Sequence, residues 1–344
     1  MDTPLPDWPD YGLVDDQRPA LRGALAAGRP AVLATIAALG DGGPRPVGTQ
    51  MVFADGLVSG FLSGGCVEGD VAGHARACLT DGAPRRLVYG EGSPWPDIRL
   101  LCGARIEILL ERVLPGDAAT AELFRLMDAR RPAVWVTDGL TRSCGEVPSA
   151  PSGALVRRHD PVWRLAVIGG DPTALAIAQL GAQSGFETTL VRPRGPAMPP
   201  PLPGVAYSRE TPAVALAAIG LDAWTAVAVC SHDLDTDHEA LLAALPSPAP
   251  YVGLLGARKR LAERIAMLRS AGVTDIGLEK LRAPIGLDLG GKAPWEVAVA
   301  TVGEVIALKS FSQREKEGPA LRSLGEAGWE VEGLGMVGNS DPAA

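Results

Sequence analysis

The cysteine in Ser63-Gly64-Gly65-Cys66-Val67-Glu68-Gly69 has the residue type and setting that point most directly to chemistry. Glycines on both sides let the backbone turn tightly and leave a thiol uncovered. A cysteine kept for packing belongs in an apolar run, as Cys78 does on the stripe Val71, Ala75, Cys78, Leu79. Cys66 stands just ahead of a helical pattern, where amide N–H groups and the helix dipole favour a thiolate. A soft, accessible thiolate suits metal or sulfur chemistry. A small buried residue that tolerates a turn is the other reading. Gly64, Gly65 and Glu68 complete the loop as candidate contacts, and Leu101-Cys102-Gly103-Ala104-Arg105 echoes it downstream, adding Cys102. Upstream, Gly43-Pro44-Arg45-Pro46-Val47-Gly48 is a rigid turn that offers Arg45 either to a phosphate or to solvent.

A second set of candidates lies in the C-terminal half. Gly169-Gly170-Asp171-Pro172-Thr173-Ala174 follows a strand pattern and opens a helical one, where a Rossmann phosphate loop belongs. Only Gly169 and Ala174 match Gly-x-Gly-x-x-Ala. Asp171 replaces the glycine that lets the backbone approach a pyrophosphate, and its charge repels one. Asp171 as N-cap and Pro172 at the first helical position explain the same residues structurally. After the second strand, Arg192 stands where a ribose-binding acid is usual, which favours a phosphomonoester such as that of NADP. Gly169, Gly170 and Arg192 are therefore the nucleotide candidates. Cys230-Ser231-His232-Asp233 closes another strand, and carboxyl ends of parallel strands face the ligand crevice. This places His232 and Asp233 for ligand contact. His232, Asp235 and His238 are metal-ligating types, but Asp235 to Glu239 reads better as a capped helix start. Gly256 and Arg258 form a strand–turn corner able to hold an anion. The alternative is a basic first helical turn, which the helix dipole disfavours. Trp295, Val299, Val302 and Ile306 read as a core face.

The chain that must position these groups has 344 residues, enough for two domains. Hydrophobic content of 47% and charged content of 21% are ordinary for a globular fold. A net charge of −8 argues against a nucleic-acid or anionic-membrane binder. Five cysteines, an odd count, do not make a disulfide framework. The start has neither a basic segment nor an apolar core, so no signal peptide is expected. No run is long enough to span a bilayer. A cytoplasmic location is expected.

Residues 20–140 read as a mixed α/β domain. Helices are expected over 18–27, 67–79 and 118–130, with strands over 31–36, 50–53, 57–62, 85–89, 105–111 and 133–137. Asp55-Gly56 is a hairpin signal between two of those strands. Residues 141–161, rich in Gly, Pro, Ser and Arg, read as a linker. Over 162–310, strands at 165–168, 188–191, 226–230 and 251–255 alternate with helices at 172–184, 211–219, 237–245, 258–271 and 294–309. That alternation predicts a Rossmann-like, doubly wound parallel sheet. The tail, 311–344, carries no assignment.

Taken in order, Pro44-Arg45-Pro46-Val47-Gly48, Asp55-Gly56, the Ser63 to Gly69 loop and Cys102-Gly103 resemble the N-terminal domain of the XdhC/CoxI family, the xanthine dehydrogenase accessory factors. Thr225 to Asp233, Tyr251 to Arg258 and Ala283 to Asp288 are similar to its C-terminal Rossmann domain. The resemblance covers residues 25–310. It implies a chaperone rather than an enzyme, one that binds molybdenum cofactor (molybdopterin), supports its sulfuration and delivers it to a molybdenum hydroxylase of the xanthine dehydrogenase type. The implied partners are the apo-hydroxylase, a cysteine desulfurase and a second copy of the chain as a homodimer. Under it, Cys66 and Cys102 touch the metal or carry sulfur, and Arg45 with the helix after Cys66 favours the pterin phosphate. Three features depart from the family pattern: Gly169-Gly170-Asp171-Pro172 replaces Gly-x-Gly-His, Arg192 replaces an acid, and a proline-rich stretch follows it. An NADP-dependent oxidoreductase and a sulfur carrier without molybdenum are the alternative readings.

Overall fold

Strand β1 (Ala31–Leu39) is apolar along nearly its whole length because both of its faces are covered. It joins β2 (Gln50–Ala54), β3 (Leu57–Gly60), β4 (Arg85–Tyr89) and β5 (Ile106–Val113) in an antiparallel sheet of order β3-β2-β1-β5-β4. Helix α1 (Arg18–Ala26) precedes the sheet, α2 (Glu68–Asp81) follows β3, and α3 (Ala118–Asp128) follows β5. One face carries Val32, Ala34 and Ile36 against Val71, Ala75 and Cys78 of α2. The other carries Leu33 and Val52 against Leu21 of α1, Leu123 of α3 and Trp135. Cys78 is fully buried, as its place on the apolar stripe predicts.

The computed structural model describes residues 5–40, 43, 45–91, 93, 100, 105–256 and 258–316. It divides between His159 and Asp160 into two units. Residues 141–159 of the expected linker are part of the first unit. They supply β7 (Arg142–Gly145) and β8 (Leu155–His159), which flank β6 (Ala133–Thr137) in a three-stranded antiparallel sheet. Gly, Pro and Arg mask these strands locally. Pairing with apolar β6 decides their conformation, as cross-strand context commonly does.

The second unit holds β9 (Arg164–Gly169), β10 (Glu187–Val191), β11 (Val205–Ser208), β12 (Thr225–Cys230), β13 (Tyr251–Leu254) and β14 (Leu281–Arg282). Their order is β11-β10-β9-β12-β13-β14, and every neighbouring pair is parallel. Helices α4 (Pro172–Gln183), α5 (Pro212–Ile219), α6 (Leu234–Ala244), α7 (Leu261–Ser270), α8 (Asp275–Glu279) and α9 (Pro294–Lys316) complete it. This is the doubly wound sheet that the alternation predicts. Its two apolar layers lie on opposite faces, with Leu165 and Val167 in one and Ala166 and Ile168 in the other.

The core face of α9 differs from the expectation. Ala298, Val302 and Val305 are buried, whereas Trp295, Val299 and Ile306 are 51%, 52% and 42% exposed. The helix packs closely on α4, and small residues such as Ala174, Ala178 and Ala298 meet there. That contact selects the face with the smaller side chains. Among the described residues, no helix is long and apolar enough to cross a membrane.

Candidate functional site

The loop at 61–67 leaves the end of β3 and enters α2 through Val67, the residue before its first turn. Gly64 and Gly65 have φ of +106° and +94°. A β-carbon at Gly65 would meet nothing within 4 Å, so the glycines answer to backbone conformation and not to lack of room. Glu68 shapes the loop from inside. Its carboxylate accepts from the amides of Leu62 (3.0 Å), Ser63 (2.6 Å), Gly65 (2.9 Å) and Val67 (3.2 Å) and from the Ser63 hydroxyl (2.8 Å). Burial alone would raise the Glu68 carboxyl, but the hydrogen bonds from Ser63 and Leu62 outweigh it and hold it below the usual carboxylate range. Glu68, a candidate ligand contact in the sequence, is thus a buried template whose charge its own loop consumes. Cys66 is exposed at the tip. The loop amides expected to favour its thiolate converge on Glu68 instead.

Arg45 lies on the turn before β2, where Thr49 N–H donates to the Pro46 carbonyl at 3.1 Å and Gly48 N–H to that of Ile36 at 2.8 Å. Its Nη2 pairs with Asp15, while its Nε is buried with no hydrogen-bond partner. Cys102 lies outside the described residues. Among the described residues, no cluster of His, Cys, Asp and Glu is arranged to hold a metal ion, so Cys66 has no companion of that kind there.

The nucleotide candidates meet at the carboxyl ends of β9, β10 and β12. Asp171 caps α4, accepting from the Ala174 amide at 2.8 Å, with Pro172 opening the helix. Its second carboxylate oxygen lies 3.0 Å from His232 Nε2. Burial would raise the Asp171 carboxyl, but the Ala174 amide and His232 together hold it below its ordinary value. His232 adopts φ of +59°, uncommon for a residue with a β-carbon. Arg192 lies over Gly170, where a β-carbon would come within 2.4 Å of Arg192 Cδ and Nε. A carboxylate, its histidine partner and an arginine side chain thus crowd the place where a dinucleotide pyrophosphate needs open backbone amides. The residues present do not fit NAD or NADP. Nothing in the sequence announced the Asp171–His232 pair, because its members are 61 positions apart.

His232 and Gly256 also line a cavity of about 300 Å³ at the ends of β12 and β13, with Lys259, Arg260 and Arg264. The strand ends at Gly169, His232 and Gly256 do lie along one edge, with Cys230 in register with Gly169 and Val229 with Leu254. Asp233, a candidate ligand contact, is the N-cap of α6 and accepts from the Thr236 amide at 2.8 Å. Asp237 is buried and holds Ser231 Oγ (2.6 Å) and Arg264 Nη1 (3.0 Å). Both therefore serve the helix start. Arg258 opens the short turn Arg258–Arg260 that precedes α7.

Comparison with known proteins bears on both units. The family description "XdhC Rossmann domain" matches residues 165–305, and "XdhC and CoxI family" matches residues 24–90. The chain is 31% identical over 312 residues to the molybdenum cofactor insertion chaperone PaoD of Escherichia coli, spanning 88% of this chain and 92% of that protein. It is 25% identical over 314 residues to a protein of Bacillus subtilis described as a probable subunit of xanthine dehydrogenase, spanning 80% and 92%. A crystal structure described as a xanthine dehydrogenase from Bacillus halodurans superimposes with a TM-score of 0.70 at 23% identity, covering 89% of this chain and 99% of that one.

Proposed function

The chain belongs to the XdhC and CoxI family, and on that premise we propose that it is a cytoplasmic accessory protein that binds molybdenum cofactor and passes it to a molybdenum hydroxylase. The observation that carries this reading is Cys66, an exposed thiol on a loop tied down by five hydrogen bonds to Glu68. The cofactor is cargo here. A thiolate is a suitable soft ligand for its metal. In this reading Cys66 contacts the metal or its sulfur, Cys102 supplies a second sulfur, and Arg45 faces the pterin phosphate. The apo-hydroxylase is the receiving partner, a cysteine desulfurase supplies sulfur where sulfuration occurs, and the carrier works as a homodimer. The name of the Escherichia coli relative supports the cargo, and that of the Bacillus subtilis relative supports the class of recipient. An oxidoreductase reading has the crowding at Asp171 and Arg192 against it. The test is to incubate the purified chain with molybdopterin or NADPH and measure what remains bound after gel filtration. Retention of molybdopterin with its later transfer to an apo-hydroxylase is expected. Retention of NADPH alone would overturn the reading.

A further inference from the structure

Three arginines and a histidine converge on one corner of the first unit. Arg157 and His159 are two residues apart on β8 and share a face with Leu155, which packs with Ala37 and Leu109. That packing turns His159 inward, leaving it 6% exposed. Arg157 Nε donates to His159 Nδ1 at 3.5 Å, so the ring accepts at that nitrogen. Among the described residues, Asp16 faces Arg157 and Asp15 faces Arg45, and both carboxylates are taken. Asp16 accepts from Arg18 Nε at 2.8 Å and from its Nη2 at 2.8 Å, and Asp15 pairs with Arg45. Among the described residues no carboxylate hydrogen-bonds to Arg157, and the buried Nε of Arg45 has no partner. Gly48, at φ +85°, lies against the Arg157 side chain, and a β-carbon there would stand 3.5 Å from Nη1. Burial pushes the Arg157 guanidinium down to about 10, with Asp16 opposing and Arg18 and Arg45 reinforcing. His159 is held well below its usual value by burial and then by Arg157 and Arg18. Among the described residues the corner therefore pairs two of its three arginines with carboxylates and Arg157 with none, and the N-terminus of α1 at Arg18 adds positive potential to it.

We infer that this corner binds a tetrahedral oxyanion of the phosphate class, gripped by the planar fork of Arg157 with Arg45 beside it. Guanidinium forks match such anions in geometry as well as charge. The corner and the thiol loop share one end of the β2–β3 hairpin. Gln17, next to Arg18, lies against Gly60, where a β-carbon would be 2.9 Å from Gln17 Cδ. The Cys66 loop departs from that same Gly60. The site itself needs no cofactor. Only its natural occupant, the phosphate end of the pterin, rests on the function proposed above.

The test uses the full chain with inorganic phosphate as probe. Melting temperature is followed against phosphate at constant ionic strength set with chloride, since a ligand of the folded state stabilises it by mass action. The wild type is expected to rise with phosphate, and Arg157→Gln to lose most of that rise, with an apparent affinity about tenfold weaker. Arg157→Lys, which keeps the charge but not the fork, is expected to fall between them and serves if the glutamine variant folds poorly. A wild type that responds no more to phosphate than to chloride, or an Arg157→Gln response equal to the wild type, overturns the site. A second arm measures molybdopterin retention by Arg157→Gln. Weakened retention identifies the pterin phosphate as occupant. Undiminished retention together with a lost phosphate response leaves the site standing for free phosphate and overturns the pterin as its occupant.

Discussion

The carboxylate of Glu68 meets four amides and a hydroxyl, and replacing it tests what the Cys66 loop depends on. Glu68→Gln keeps the volume but turns an amide donor toward backbone donors, at a cost of about 2–3 kcal/mol. The folded-state carboxyl lies below its ordinary 4.5, so its contribution is complete above that value and is lost as pH falls through the folded value. Thermal melts from pH 7 to pH 3 should show the gap between wild type and Glu68→Gln close on acidification. A gap that stays constant would contradict the assignment. The cysteines separate by burial. Cys78→Ser buries a hydroxyl in an apolar layer and should cost about 1–2 kcal/mol in urea denaturation. Cys66→Ser, on an exposed tip, should stay within about 0.5 kcal/mol of wild type. Equal destabilisation by both would mean that Cys66 is structural. At this scale the sequence was readable where backbone conformation dictates residue type, as at Gly64 and Gly65. It was not readable where a side chain's direction decides its role. Glu68 pointing inward and Asp233 serving as a cap have the residue types expected of ligand contacts.

Strand–turn–helix elements with strong local signals were legible from pattern alone. Asp171-Pro172 reads as a helix start and is one, because the cap needs only the residues that stand beside it. Elements β7, β8, β11 and β14 were not legible, because partner strands remote in sequence define them. The buried face of α9 is not legible for a similar reason, since closeness to α4 outweighs side-chain size. Removing the α4 cap by Asp171→Ala should cost about 1 kcal/mol, read by denaturant unfolding, and it also strips His232 of its carboxylate partner. Calorimetric titration of the wild type with NAD or NADP should show no binding in the micromolar range. Saturable micromolar binding would contradict the crowding described at Gly170 and Asp171.

Across the whole molecule, the doubly wound sheet is present while the loop after its first strand lacks the Gly-x-Gly pattern of a dinucleotide site. The solved relative at 23% identity and TM-score 0.70 shares the fold, and the fold alone assigns no dinucleotide. The net charge of −8 coexists with the corner group of Arg18, Arg45 and Arg157, so the average charge conceals local clusters of cations. That corner escaped the sequence because Arg157 and His159 sit in a segment whose composition suggests a linker. The central claim, that Cys66 holds molybdenum cofactor, is tested most directly by loading wild type and Cys66→Ser side by side with molybdopterin and measuring molybdenum and pterin retained after gel filtration. The account predicts stoichiometric retention by the wild type and its loss in a Cys66→Ser chain with unchanged stability. Undiminished retention by Cys66→Ser would contradict it.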